Sequence, residues 1–123
     1  MSNAEAARPW PAEIKLKKSE RLLEVRFEDG TTFSFPAEYL RVESPSAEVQ
    51  GHGTGNKTTV PGKRFVTIEG LEPVGNYALR IIFGDGHDSG LYTWETFYRL
   101  GREHDRLWAE YLAALEAKGL SRG

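Results

Sequence analysis

Asp85, His87 and Asp88 stand close together between two apolar runs, and an imidazole flanked by carboxylates could hold a divalent cation or relay a proton. His52, between Gly51 and Gly53, is the other histidine in loop-like sequence. Were the long segment around it to fold over the turn, His52 and His87 with Asp85 or Asp88 would make a two-histidine, one-carboxylate set suited to iron or zinc. A plainer reading stands beside this one. Gly84-Asp85-Gly86 is a turn signal, with Asp85 placed to bond nearby backbone, and His87 and Asp88 then serve the loop.

Other chemistries fare worse. Gly51-His52-Gly53-Thr54-Gly55-Asn56 has the glycines of a phosphate cradle but lacks the Gly-Lys-Ser/Thr ending and a strand-to-helix junction, so nucleotide binding is rejected. Ser44, Ser46 and Ser89 have no base at a meaningful spacing, which leaves a hydrolase triad unsupported. His104 falls within a helical pattern as a packed or surface residue. Trp94, Trp108 and Tyr111 read as core or interface.

The elements that must position these residues follow from periodicity. Leu79, Ile81 and Phe83 alternate as one strand, Leu91-Tyr92 returns as another, and from Thr93 the period lengthens to that of a helix, with Thr93 as N-cap and Glu95 favouring the dipole. The same unit occurs earlier: Leu23, Val25 and Phe27 alternate, Glu28-Asp29-Gly30 turns, Phe33 and Phe35 alternate, and Pro36 opens a short helix through Leu40. The recurrence is compatible with a duplicated building block and with chance repetition of a common hairpin.

Ile14 and Leu16 predict a first strand, with a turn over Lys18–Arg21. Residues 41–64, broken by Pro45, Gly51, Gly53, Gly55 and Pro61-Gly62, read as a long loop of the kind that is often functional. Phe65, Val66 and Ile68 predict a further strand, Glu69–Gly75 a turn around Pro73, and Tyr77–Phe83 a central strand. Apolar residues from Trp94 to Leu115 recur at helical spacing, with a kink or split at Gly101, which weakens a helix by about 1 kcal/mol relative to Ala, and a stop at Gly119.

With 123 residues, 39% of them hydrophobic, the chain suffices for one core: residues 13–119 as a single domain after a flexible arm over 1–12. A net charge of −2 gives no electrostatic basis for tight nucleic-acid or anionic-membrane binding, and Lys15, Lys17, Lys18 and Arg21 read as a solvated face. No cysteine is present, which excludes disulfides and thiolate-bound metal. No apolar run approaches the roughly 20 residues of a spanning helix, and the expected setting is cytoplasmic.

Three motifs occur in order: Leu40-Arg41-Val42-Glu43-Ser44-Pro45-Ser46-Ala47-Glu48-Val49-Gln50-Gly51-His52-Gly53, Glu72-Pro73-Val74-Gly75-Asn76-Tyr77-Ala78, and Phe83-Gly84-Asp85-Gly86-His87-Asp88-Ser89-Gly90-Leu91-Tyr92-Thr93-Trp94. Through them the chain resembles, from about Ile14 to Gly101, the gamma-butyrobetaine hydroxylase-like N-terminal domain, a family found as small free-standing bacterial proteins and fused to other domains. In the hydroxylases this domain precedes the catalytic double-stranded β-helix and binds zinc through Cys-x-Cys-x2-Cys and a later His. The resemblance places those ligands at Ser44, Ser46, Val49 and His87. Ser and Val cannot replace thiolates in a tetrahedral zinc site, so the resemblance implies the domain without its zinc and leaves His87 to hydrogen bonding. The iron and 2-oxoglutarate chemistry belongs to a domain expected to be absent here. Relatives fused to an iron–sulfur scaffold ATPase imply an association with cluster assembly.

The expected structure is an α+β fold: a twisted antiparallel sheet of about five to seven short strands, with its repeated hairpin-helix unit, packed against a C-terminal helix. The expected function is a non-catalytic module contacting a protein partner or a second copy of itself through loop 44–56 and the Asp85–Asp88 turn, with no nucleic acid, membrane or cofactor. The competing reading is an iron- or zinc-handling protein with His52, Asp85, His87 and Asp88 as ligands.

Overall fold

The computed structural model describes residues 9–51 and 57–123. Strands β1 (Pro11–Lys17), β2 (Leu22–Phe27) and β3 (Thr32–Pro36) form one antiparallel sheet in that order and run into helix α1 (Ala37–Val42). After the short helix α2 (Ala47–Gln50), strands β4 (Ile68–Val74), β5 (Ala78–Phe83) and β6 (Leu91–Thr93) form a second antiparallel sheet, again in order, and run into α3 (Trp94–Arg102), followed by α4 (His104–Ala117). The fold is α+β, and three strands followed by a helix occur twice.

The two units share their turns bond for bond. Phe27 N–H donates to Thr31 O at 2.8 Å and Phe83 N–H to His87 O at 3.0 Å. Gly30 and Gly86 N–H return to the carbonyls of Phe27 and Phe83. Asp29 Oδ1 accepts from Thr31 N–H at 2.9 Å, and Asp85 Oδ1 from His87 N–H at 3.0 Å. The Asp-Gly signal thus makes the same side-chain-to-backbone turn in both places, and His87 is the counterpart of Thr31.

Six strands form as the alternation predicts, but in two sheets of three. Period-two spacing fixes which face a side chain takes, not which strand lies beside it. Leu23, Val25, Phe27 and Phe35 from the first sheet, and Ile68, Leu79, Ile81 and Phe83 from the second, are buried in one cluster with Tyr39, Leu40, Tyr92, Phe97 and Leu100. The repeated units therefore close on a shared core instead of one continuous sheet.

Three boundaries differ from expectation. Phe65 and Val66 lie ahead of the strand, which begins at Ile68 and continues through the predicted turn to Val74. Pro73 is accommodated because β4 is an edge strand of its sheet, where a missing N–H breaks no interior ladder. Within the 41–64 segment, α1 extends to Val42 and α2 forms over Ala47–Gln50, because Ser46 Oγ accepts from Glu48 N–H at 3.0 Å as a cap.

The expected central strand, β5, lies between β4 and β6. Thr93 caps α3 through Oγ1, which accepts from Thr96 N–H at 3.1 Å. The long helical pattern splits after Gly101, between Arg102 and His104. Past Ala117, Gly119 N–H bonds the Glu116 carbonyl and Leu120 N–H reaches back to Leu115, which closes the helix end.

Candidate functional site

The strand β5, the turn after Phe83 and the segment joining α1 to α2 converge on His87. The residue is 7% exposed, although it sits in a turn. Its ring packs at 6.0 Å from Phe83, and Ser44 Oγ lies 2.9 Å from Nε2 while Glu48 Oε1 lies 2.9 Å from Nδ1. A carboxylate only accepts, so Nδ1 carries the proton and Nε2 accepts from the Ser44 hydroxyl. Ser44 Oγ in turn accepts from Ser46 N–H at 3.2 Å, and Ser89 Oγ–H donates to Ser46 Oγ at 3.1 Å. Gly90 lies against this network: a Cβ there would stand 2.5 Å from Ser44 Oγ.

The result is a hydrogen-bonded bridge between residues about 40 apart in the chain, with every polar atom of the imidazole occupied. Burial holds the His87 imidazole below its ordinary range, and the nearby Arg41 guanidinium adds to this, while Glu48 opposes both. The neutral ring is the form that can accept from Ser44. Because the unfolded chain takes up this proton near its ordinary value of 6.5 and the folded chain only at lower pH, stability should fall as pH drops from about 6.5. Chemical unfolding from pH 7.5 to 5 checks this as the difference between wild type and His87→Gln. An identical pH dependence in the two would remove His87 as its source.

Asp85 does different work. Its Oδ2 accepts from Arg41 Nε at 2.8 Å and Lys63 Nζ at 2.6 Å. Although burial opposes ionisation, Lys63, the His87 N–H and Arg41 hold the carboxyl well below the usual carboxylate range. Asp88 is half exposed, with its carboxylate 3.8 Å from Arg80. Asp88 and Asp85, each committed to other cations, therefore do not join the His87 ring in one ligand set. His52 lies outside the described residues. Among the described residues, no group of three or more His, Asp or Glu is arranged to hold a metal.

The four positions singled out by resemblance behave differently. Ser44, Ser46 and His87 form one network, and Val49 is buried one turn beyond Ser46, with its N–H bonded to the Ser46 carbonyl. Two hydroxyls, an isopropyl group and one imidazole do not fit tetrahedral zinc. What occupies the place is a hydrogen-bond network. Replacing Ser44 by Ala should leave Nε2 buried without a donor and cost about 1–3 kcal/mol. Urea unfolding measures it, and a loss below about 0.5 kcal/mol would mean that the bond contributes little.

Glu48, Arg41, Lys63 and Gly90 were not legible as site residues. Glu48 lies within the long loop and far from His87 in the chain, and only folding brings them together. Among the described residues, Arg41 Nη1 and Glu43 Oε2 are buried with no hydrogen-bond partner. Glu43 reaches Lys57 Nζ at 2.6 Å with its other oxygen, and burial pushes its carboxyl above the ordinary range despite that partner.

The model of the family described as gamma-butyrobetaine hydroxylase-like, N-terminal, matches residues 14–98. Two proteins with NMR solution structures are similar: one is 49% identical, with a TM-score of 0.81 over 93% of this chain and 90% of that one. The other is 45% identical, with a TM-score of 0.82 over 99% and 90%. A crystal structure from Acidithiobacillus ferrooxidans ATCC 23270, described as a protein with unknown function of the DUF971 family, is 38% identical, with a TM-score of 0.62 over 74% of this chain and 91% of that one. No curated protein gives a match. Among the described residues, no helix is long and apolar enough to cross a membrane.

Proposed function

Because the chain belongs to the gamma-butyrobetaine hydroxylase-like N-terminal family, we propose that it is a non-catalytic interaction module whose contact surface is the α2 segment and the Asp85–Ser89 turn. The observation that carries this reading is the occupancy of both His87 ring nitrogens by Ser44 and Glu48. A general base or a metal ligand needs one of them free. Their use inside the protein instead makes His87 a brace between two surface segments, with Ala47, Glu48, Asp88 and Ser89 exposed above it. A braced loop surface meets a partner at lower entropic cost than a mobile one.

The competing reading, iron or zinc held by His87 with Asp85, Asp88 and His52, requires the ring to leave Ser44 or Glu48 and Asp85 to leave two cations. The two readings separate in one experiment. Wild type and an Ala47→Arg/Asp88→Arg double variant are used to isolate a stoichiometric protein partner from the source cells, with and without chelator; Glu116→Lys on α4 serves as control. Retention by wild type and control in chelator, with loss in the double variant, is the expected result. Equal retention by all three, or a requirement for stoichiometric iron or zinc, would overturn the proposal. Sedimentation of the purified chain tells whether a second copy is that partner.

A further inference from the structure

Arg122 occupies a prepared place against α1. Its Nε and Nη2 donate to the two oxygens of Glu38 at 2.9 and 2.7 Å, a bidentate pair. Glu38 is 7% exposed, uncommon for a carboxylate on a short helix. The guanidinium also lies 5.3 Å from the centroid of the Trp108 ring, within cation–π range. Around it, Tyr39 and His104 meet edge to face at 4.4 Å, and Tyr39 and Trp108 at 6.2 Å. Pro36 completes a partly filled cavity of about 180 Å³ beside the guanidinium.

The backbone of this arginine is read as well. Gly62 N–H donates to the carbonyl of Ser121 and Arg64 N–H to that of Arg122, both at 2.9 Å. Two successive carbonyls of the segment are thus held by main-chain donors two residues apart, while the arginine side chain lies between Glu38 and Trp108. Leu120, Ser121 and Gly123 are exposed, with the Leu120 N–H bonded to the Leu115 carbonyl and the Gly123 N–H to Ser121 Oγ.

We infer that Glu38, Trp108, Tyr39 and His104, with the Gly62–Arg64 backbone, form a binding site for an arginine side chain carried on a peptide segment, filled here in cis by Ser121-Arg122-Gly123. A partner segment bearing arginine takes the same place when this one leaves. The planar fork selects arginine over lysine, because only the guanidinium makes two parallel bonds to one carboxylate and stacks on the indole. The cis segment acts as a competitor at an effective concentration on the order of millimolar.

The test uses wild type, Arg122→Ala, Arg122→Gln and Arg122→Ala/Glu38→Gln, each titrated with the blocked peptide acetyl-Leu-Ser-Arg-Gly-amide. The Trp108 indole and the Gly62 and Arg64 amide resonances are followed by NMR. Saturable shifts at all three sites are expected in both single variants. Binding to wild type should be at least roughly tenfold weaker because the cis segment competes, and the double variant should not respond. The lysine analogue should bind roughly tenfold more weakly than the arginine peptide. Free arginine binding as well as the peptide would overturn the peptide-borne form of the ligand. No saturable shift in single variants that keep their dispersed spectra would overturn the site itself. Unfolding of both single variants would also overturn it, since Arg122 would then be a clamp of the fold.

Discussion

Phe97→Ala is expected to lower stability by about 3–5 kcal/mol, the range for deleting a buried aromatic ring. Phe97 is fully buried on α3. Its ring stacks on Tyr92 of β6 at 5.4 Å and meets Phe35 of β3, tilted, at 5.7 Å, with Trp94 at 6.4 Å. It therefore touches residues of both three-stranded sheets, and its removal opens a cavity where no backbone bond joins them. The neighbours are held in place by their own commitments. Tyr92 hydroxyl donates to the Leu40 carbonyl and Tyr39 hydroxyl to that of Leu100, each at 2.6 Å, so the site cannot collapse freely around the gap. Urea unfolding gives the size of the effect, and Tm should fall by roughly 10–20 °C. A loss below about 1 kcal/mol would mean that the sheets are held together elsewhere.

Gly101→Ala is expected to destabilise by about 1–2 kcal/mol, against the sign that helix propensity gives. In an exposed helix, Ala replaces Gly with a gain of about 1 kcal/mol. Here a Cβ on Gly101 would stand 2.3 Å from two carbons of the Phe33 ring and 2.6 Å from a third. Phe33 cannot swing aside cheaply, since its ring meets Tyr98 at 5.6 Å, Phe35 at 6.0 Å and Phe27 at 6.1 Å. Overpacking of this kind costs more than the propensity gain returns. Calorimetry on Gly101→Ala and on Gly101→Ala/Phe33→Leu checks both size and cause, because the smaller side chain should recover part of the loss. A raised Tm in the single variant would show that α3 does not press on the first sheet.

Much of the fold could be read from alternation and turn chemistry. Phe27-Glu28-Asp29-Gly30 and Phe83-Gly84-Asp85-Gly86 carry the same Asp-Gly signal between apolar strands, and they form the same turn. Thr93, Gly101 and Gly119 marked the ends and the break of the helical region because their effects are local to the backbone. Strand β4 was obscured by Gly70, Pro73 and Gly75, which signal a turn in isolation and are tolerated on an edge. The division into two sheets had no local signature at all.

The site was legible in part. His87 and Asp85 could be picked out by type, and the family resemblance pointed to Ser44, Ser46 and Val49. Their partners could not: Glu48 meets the His87 ring, and Arg41 and Lys63 meet Asp85, only through long-range packing. A charge run in sequence says nothing of which carboxylate a lysine will face, which is why the cluster of Asp85, His87 and Asp88 looked more like a ligand set than its geometry is. Likewise Glu38 and Arg122, 84 residues apart, gave no sign of being a pair.

The brace formed by His87 is tested most directly by long-range ¹H–¹⁵N NMR of its imidazole, at pH 7.5, before and after one equivalent of zinc or iron(II). The expected spectrum is a neutral ring protonated on Nδ1, unchanged by either metal, with the Nε2 resonance shifting on Ser44→Ala. A metal-bound nitrogen signal at one equivalent, or a ring protonated on Nε2, would contradict the hydrogen-bonded brace and return His87 to the role of ligand.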